Sequence, residues 1–390
     1  MKVLVIGGGM AGLTYAIVAC KNGYDVTVAE RNPRVGKKLS ATGNGKCNIG
    51  NERVSVASFN GCAVVKNVLD EISVADYKRF LLSCGIYTYT DADGRMYPLS
   101  DSASNVVDCL RHQLAKFGGK LLVEKEITAC ERIDGKYHVT IGPEKQIFDK
   151  VVLACGSGSQ APMPNVTNIV PSGVFTPLSP SLVPVKARNM DGSLNGIRVR
   201  ANVSLYDGAV LLGSESGEVL FKDYGLSGIS IFNLSSIIAR RNVQRKSGQY
   251  VFSLDVVPHL TLWDLGEILH ARIKAGETNK LFYGILHNKL AEHIVKRCAV
   301  LDAATLASTA KELTFELYRL LDWSMSQVTA GGIDEGYLDV NTLTLSNGVV
   351  CVGEVLNVDG VCGGNNLYFA AASALYTFTR LERERAFSIS

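Results

Sequence analysis

Six residues near the N-terminus, Gly7-Gly8-Gly9-Met10-Ala11-Gly12, constrain this chain more than any other stretch. Glycine takes the first, third and sixth places. The apolar run Lys2 to Ile6 precedes them and reads as a strand. Leu13 to Cys20 follows as a helix, closed by Lys21-Asn22-Gly23. A second strand, Asp25 to Ala29, ends in Glu30, eighteen residues past Gly12. Strand, glycine turn, helix, strand and acid in this register predict a dinucleotide site. Gly7 permits the tight turn, Gly9 admits a pyrophosphate to the backbone, and Gly12 lets the helix lie close on the sheet. Unpaired N–H groups and the positive dipole end at the helix start favour phosphate. A carboxylate at Glu30 accepts hydrogen bonds from ribose hydroxyls and repels a 2′-phosphate.

Two further strand-to-turn signals follow. Asp149 to Leu153 reads as a buried parallel strand running into the small-residue turn Ala154-Cys155-Gly156. Near the C-terminus, Val349 to Val352 leads into Gly353-Glu354, a second strand ending in an acid. Asp359 to Asn366 is then a glycine-rich turn opening an alanine-rich helix over Leu367 to Thr379. A plain NAD dehydrogenase has no need of that last pair; a bound FAD does. Its adenosine and pyrophosphate would lie on the first unit, and its ribitol and flavin would reach the second acid and second helix start. Glu354 is placed for ribitol hydroxyls. N–H groups near Gly363, Gly364 and Asn365 are placed for the flavin N1–C2=O edge.

Between these signals, residues 64–72 and 74–84 read as helices, and Ile86 to Tyr89 as a hairpin strand turning at Asp91 to Gly94. Ser100 or Asp101 is the expected cap of a helix of about sixteen residues. Lys120 to Val123 is a strand, and Ile127 to Arg132 pairs with Tyr137 to Ile141. From Pro184 the texture changes. Ile197 to Leu205 alternates strictly, as a half-buried antiparallel strand does. Tyr206 to Gly208 and Ser216-Gly217 read as hairpin turns, and Tyr250 to Val257 as a strand. Residues 261–320 read as consecutive helices, one carrying Trp263, Leu265, Ile268 and Leu269, another Leu313, Leu317, Leu320 and Leu321.

Several stretches resemble one family. They are the loop Gly36 to Asn48, the stretch Arg95-Met96-Tyr97-Pro98 to Val107, Ser181 to Pro184, Tyr224 to Gly228, Val328 to Gly332, and Gly353 to Leu367. Together they look like the HI0933-like FAD-binding flavoproteins, also called BaiN-like or aminoacetone-oxidase-like, over nearly the whole chain. The resemblance implies an α/β fold: a Rossmann-like, glutathione-reductase-like FAD domain split by an inserted β-barrel-like domain and a small helical domain. The expected boundaries are 1–183 and 323–390 for the two parts of the FAD domain, 184–260 for the β-rich insert and 261–322 for the helical domain. Expected cofactor contacts are Gly7, Gly9, Met10, Ala11, Gly12, Glu30 and Arg31 on the first unit. Lys38, Leu39, Thr42, Gly43, Asn44, Gly45, Cys47 and Asn48 come from the loop. Ala154, Cys155, Gly156, Gly353, Glu354, Gly363, Gly364, Asn365 and Asn366 come from the later turns. Four departures stand out. Lys46 replaces the family's usual Arg, Lys222-Asp223 replace Thr-His, Asn365 replaces Tyr, and the segment after Gly156 is shortened to Ser157 to Pro162.

The implied function is FAD-dependent oxidation or reduction of a small organic substrate, with NAD(P)H or the substrate itself reducing the flavin. One complete GxGxxG leaves NAD(P)H a transient partner at most. The competing readings are an NAD-binding dehydrogenase with an unusual tail, and a non-enzymatic flavin or dinucleotide sensor that binds a macromolecule. No catalytic residue is assigned. Cys47 and Cys362, in glycine loops by the expected flavin, are candidate proton donors or adduct formers, and Tyr224 and Tyr97 candidate acids or stacking groups.

Composition narrows the rest. Apolar residues at 47%, charged residues at 20% and a net charge of +3 over 390 residues describe a globular protein without a nucleic-acid footprint. No apolar run has membrane-spanning length, and the start enters a strand at once, so a cytoplasmic location is expected. Ten scattered cysteines, without a CxxC pair or metal-like spacing to His, predict neither disulfides nor a metal site. The oligomeric state is not encoded in these signals.

Overall fold

The computed structural model describes residues 1–60, 62–157, 169–278 and 280–389. They fall into two compact units, Met1–Leu178 with Val328–Ser390, and Ser179–Gln327. The shortened segment after Ser157 lies largely outside the described residues.

The first unit is built on a seven-stranded sheet. Its parallel part comprises β1 (Lys2–Ile6), β2 (Asp25–Ala29), β3 (Lys120–Leu122), β4 (Lys150–Leu153) and β5 (Val350–Cys351), in the order β5-β4-β1-β2-β3. Leu338–Asp339 and Thr344–Leu345 extend it beyond β5 as an antiparallel edge. Val5 of β1 lies between Val28 of β2 and Val152 of β4, and Leu153 pairs with Cys351. Val3, Leu4, Val5, Val151, Val152 and Leu153 are all fully buried, as parallel strands covered on both faces must be.

Three helices matter to the site: α1 (Met10–Lys21), α2 (Ala103–Lys116) and α3 (Asn365–Ile389). α1 is apolar on almost every side and is buried accordingly. It packs on α3, where Tyr15 meets Phe378 edge to face at 5.7 Å. The cap of α2 is Ser102, whose Oγ accepts the Asn105 N–H, rather than Ser100 or Asp101; Asp101 has a left-handed φ of 46° and stands outside the helix. α3 runs well past the expected Thr379. Its added turns are charged and held by ion pairs, with Arg380 and Arg383 on the two oxygens of Glu71 at 2.8 and 2.7 Å. Glu144–Phe148 adds a third strand to the expected pair of Ile127–Ile133 and Lys136–Ile141.

The second unit contains a closed six-stranded barrel of Val185–Ala187, Gly225–Ser227, Val210–Lys222, Arg198–Asp207, Tyr250–Asp255 and Leu313–Leu320. The segments expected as β-rich (184–260) and helical (261–322) both lie within it. Two expectations are corrected here. Leu313–Leu320 is a barrel strand, not a helix: Leu313 and Phe315 are buried while Thr314 and Glu316 are exposed, a period of two. Ser216-Gly217 lies within a strand instead of turning it. A Cβ on Gly217 would sit 2.9 Å from Ser230 Oγ, so glycine lets helix Ile229–Val243 pack down. The sequence signals do not predict that helix. The expected helices are present over Leu262–Lys274, Asn288–Arg297 and Ala303–Lys311.

Candidate cofactor site at the carboxyl edge of the sheet

β1, β2, β4 and β5 all end on one edge, which gathers Gly7, Glu30, Ala154 and Val352. Gly7 has φ +107°, and a Cβ there would lie 2.4 Å from the Ala154 carbonyl oxygen. On Gly12 a Cβ would lie 2.0 Å from the Gly7 carbonyl oxygen. The chain's own backbone therefore demands glycine at both places. Gly9 differs: its φ is −84°, and a Cβ would meet nothing within 4 Å among the described residues. The middle glycine keeps open a space that none of these residues fills. Met10 and Ala11 begin α1 beside it, without a capping side chain or an acidic residue in the first turn. The positive end of the helix therefore has no acid of its own in the first turn.

Glu30 is 8% exposed at the tip of β2. Its Oε2 accepts the Gly8 N–H at 2.9 Å, and its Oε1 accepts the Asn32 N–H at 2.8 Å, which fixes the carboxylate against the glycine turn. Arg31 follows it, half-buried.

The second acid reaches the same edge. Gly353 has φ +75°, and a Cβ there would press within 2.7 Å of Ala11 Cβ, so the turn after β5 abuts the start of α1. Glu354 accepts the Thr329 N–H at 3.0 Å and pairs with Lys38. Thr329 Oγ1 in turn accepts from Ser157 Oγ at 2.7 Å. Sequence reasoning missed Thr329 and Ser157 as supports of Glu354; the Val328 to Gly332 run was visible, but not what it holds. Cys155 lies in the turn shared by both acids. Burial pushes its thiol up to about 12, with Glu30 and Glu354 adding to the rise and Arg31 opposing it.

The loop Gly36 to Asn48 folds into a short helix, Lys37–Ala41, and a tight turn, Thr42–Gly45, that includes Asn44. Leu39 is buried and accepts from Thr42 Oγ1 at 2.7 Å. Gly43 packs on the Asn48 N–H, whereas a Cβ on Gly45 would meet none of the described residues within 4 Å. Asn48 bridges this loop to the C-terminal turn. Its carboxamide donates to the Gly50 carbonyl at 3.0 Å and accepts the Gly364 N–H at 3.2 Å. Gly364 has φ +92° and lies against the Gly50 carbonyl. Asn366 holds both the N–H and the carbonyl of Gly360 at 2.8 Å. Asn365 is 3% exposed and donates to the Val361 carbonyl at 3.1 Å, while its own Oδ1 is buried without a partner among the described residues. Asn51 donates to the Gly363 carbonyl at 2.9 Å. Sequence reasoning missed Asn51 as well; the one signal for it was a polar residue directly after Ile49 and Gly50.

The structure thus places Gly7, Glu30, Ala154 and Gly353 at one edge of the first unit, joins Lys38 to Glu354 there, and ties Asn48 to Gly364. The catalytic candidates fare differently. Cys47 is fully buried with φ +62°, and burial raises its thiol to about 11 against the opposing Thr42 hydrogen bond. Such a thiol is a packed side chain and not a ready proton donor. At pH 8 its thiolate fraction is on the order of 0.1%. Iodoacetamide at that pH is expected to label Cys47 roughly 100-fold more slowly in the folded protein than in urea. Peptide mass spectrometry over time checks this, and equal rates would contradict the burial. Cys362 is half-buried beside Gly363. Tyr224 belongs to the second unit, where its carbonyl accepts the Ala187 N–H at 3.0 Å and burial raises its phenol.

A parallel sheet with a glycine turn, a ribose-type acid and a second acid on one carboxyl edge defines a Rossmann-type dinucleotide-binding protein. The chain belongs to the HI0933-like Rossmann-domain family, whose pattern it matches over residues 1–378. It is 26% identical to a 3-dehydro-bile acid delta(4,6)-reductase of Clostridium scindens, over 98% of this chain and 99% of that one. It is 24% identical to a ribosomal RNA dihydrouridine synthase of Haemophilus influenzae, over 98% of both. Among solved structures, it matches a 3-ketosteroid-delta4-(5alpha)-dehydrogenase of Rhodococcus jostii RHA1 with 15% identity, 96% coverage of each chain and a TM-score of 0.44. No helix among the described residues is long and apolar enough to cross a membrane.

Proposed function

We propose that the chain is an FAD-dependent oxidoreductase acting on a small organic molecule. The observation that carries this reading is the pairing of Gly9 and Glu30 with a second acid, Glu354, and a second glycine turn on one sheet edge. One acid and one turn would serve a simple dinucleotide; two of each suit the longer FAD. The residues fit that group. The space over Gly9 accepts a pyrophosphate at the start of α1, and Glu30 lies where adenosine ribose hydroxyls would donate. Lys38 pairs with Glu354 and holds its carboxylate where ribitol hydroxyls would donate. Gly363, Gly364 and Asn365 stand at the start of α3, where N–H donors favour negative charge.

Bound FAD would supply the electron transfer; the chain supplies orientation and charge. The names of the relatives support reductive chemistry. They also widen the substrates to be tried, since two of them, from Haemophilus influenzae and Escherichia coli, are named for ribosomal RNA. A small substrate, with no nucleic-acid partner, is the proposal that the near-balanced charge of +3 over 390 residues favours.

A visible spectrum of the purified protein, before and after anaerobic NADH or NADPH, tests the reading. A flavin band that bleaches is the expected result and makes the nicotinamide the reductant. A band that persists points to reduction by the substrate itself, or to the non-enzymatic sensor. No flavin band, with none gained on adding FAD, refutes the proposal.

A further inference from the structure

Outside the glycine turns, one small sheet has an aromatic face that is exposed among the described residues. It is formed by Gly50–Asn51, Arg95–Pro98 and Thr88–Thr90. Tyr89 and Tyr97 stand directly opposite each other in its register. Their rings stack with centroids 5.7 Å apart and planes 25° from parallel. Just beyond these strands the Leu99 N–H donates to the Tyr87 carbonyl at 2.8 Å, so Tyr87 and Leu99 continue the pairing of Thr88 with Pro98. These two are 61% and 65% exposed, and Tyr89 is 39% exposed. Met96 and Pro98 are buried on the other side. Grouped exposure of large apolar side chains marks a binding surface.

The face is continuous with the candidate cofactor site. Asn51 stands opposite Arg95 in the same sheet and donates to the Gly363 carbonyl at 2.9 Å. Asp101 accepts from the Tyr89 hydroxyl at 2.8 Å and lies 3.6 Å from Lys46 of the glycine loop. Most cations at the face are paired: Arg95 with Asp91 and Asp93 at 4.0 and 3.3 Å, and Lys46 with Asp101, while Arg53 donates to the Ala92 carbonyl at 2.9 Å. A strand of nucleic acid needs unpaired cations for its phosphates. An uncharged conjugated ring needs only a fixed π surface to stack on.

We propose that Tyr89 and Tyr97 are a stacking platform for the planar conjugated ring of a small, uncharged substrate at the rim of the candidate cofactor site. Its position beside a flavin rests on the function proposed above; its ring chemistry does not. The Asp101 hydrogen bond holds the Tyr89 ring before a ligand arrives, which lowers the ordering cost of binding.

The test is a calorimetric titration of the FAD-loaded full chain with 2,3-dimethyl-1,4-naphthoquinone, whose methyl groups block addition of cysteine thiols. The wild-type chain is expected to bind it. Tyr89→Ala is expected to weaken binding by about 10-fold, and Tyr89→Phe, which keeps the ring, by no more than about 3-fold. Absence of wild-type binding, or an unchanged Kd in Tyr89→Ala, overturns the proposal. So does a uridine 12-mer whose affinity falls in Tyr89→Ala while that of the quinone does not, which would make the face an RNA surface. A chain that retains no FAD yet binds the quinone through Tyr89 supports the platform while refuting the flavin reading, so the two failures are distinguishable.

Discussion

Gly12→Ala is expected to lower the melting temperature by about 10 °C and to leave little protein able to hold a flavin. The new methyl would lie 2.0 Å from the Gly7 carbonyl oxygen and 3.2 Å from Ala154 Cβ. Neither neighbour yields easily. Gly7 is itself wedged against the Ala154 carbonyl at φ +107°, and its N–H is tied to the Ala29 carbonyl at 2.8 Å. The strain must therefore lift α1 off β1 and β4. Overpacking a core costs about 1–3 kcal/mol and more when backbone is in the way, so roughly 3–4 kcal/mol is expected. In a domain of this size each kcal/mol moves the midpoint by about 2–4 °C. Thermal melts of the apo-protein measure the first effect and flavin absorbance the second. A variant that melts within about 2 °C of wild type would mean that α1 does not lie on the turn as described.

That contact was legible in the sequence because its causes are local. The apolar run of Lys2–Ile6, three glycines at fixed spacing and an acid after the second strand are separated by covalent distances that leave one way to fold. The later turns were legible for the same reason, each being a strand that ends in glycine or an acid. What joins them was not. Lys38 meets Glu354, and Asn48 meets Gly364, across most of the chain, and no local pattern states that such pairs exist. Cys47 looked reactive because its loop is polar and rich in glycine. Its burial and left-handed backbone come from packing beneath the loop. The misread strand is instructive in another way. Leu313, Leu317 and Leu320 fit a helical stripe, while Leu313, Phe315 and Leu317 fit a strand. Barrel closure between Tyr250–Asp255 and Val185–Ala187 decides between them.

Gly9→Ala is expected to give the opposite signature to Gly12→Ala, with the fold kept and the cofactor lost. None of the described residues lies within 4 Å of the added methyl, and φ at this position is −84°, which alanine adopts without strain. Exchanging glycine for alanine at an N-cap costs about 1 kcal/mol, so the apo-protein should melt within about 3 °C of wild type. On the proposed reading, the same methyl would stand where a pyrophosphate approaches the N–H groups of Met10 and Ala11. A hydrogen bond to a charged group is worth about 1.5–3 kcal/mol, and losing one is expected to weaken FAD binding by about 10- to 100-fold. Titrating apo-protein with FAD and following quenching of flavin fluorescence measures that loss. Full FAD affinity in Gly9→Ala would place the pyrophosphate elsewhere and remove the support for the first-unit site. Two glycines three residues apart thus separate a fold requirement from a ligand requirement. Gly12 is fixed by atoms the chain supplies, and on the proposed reading Gly9 is fixed by a group that comes from outside it.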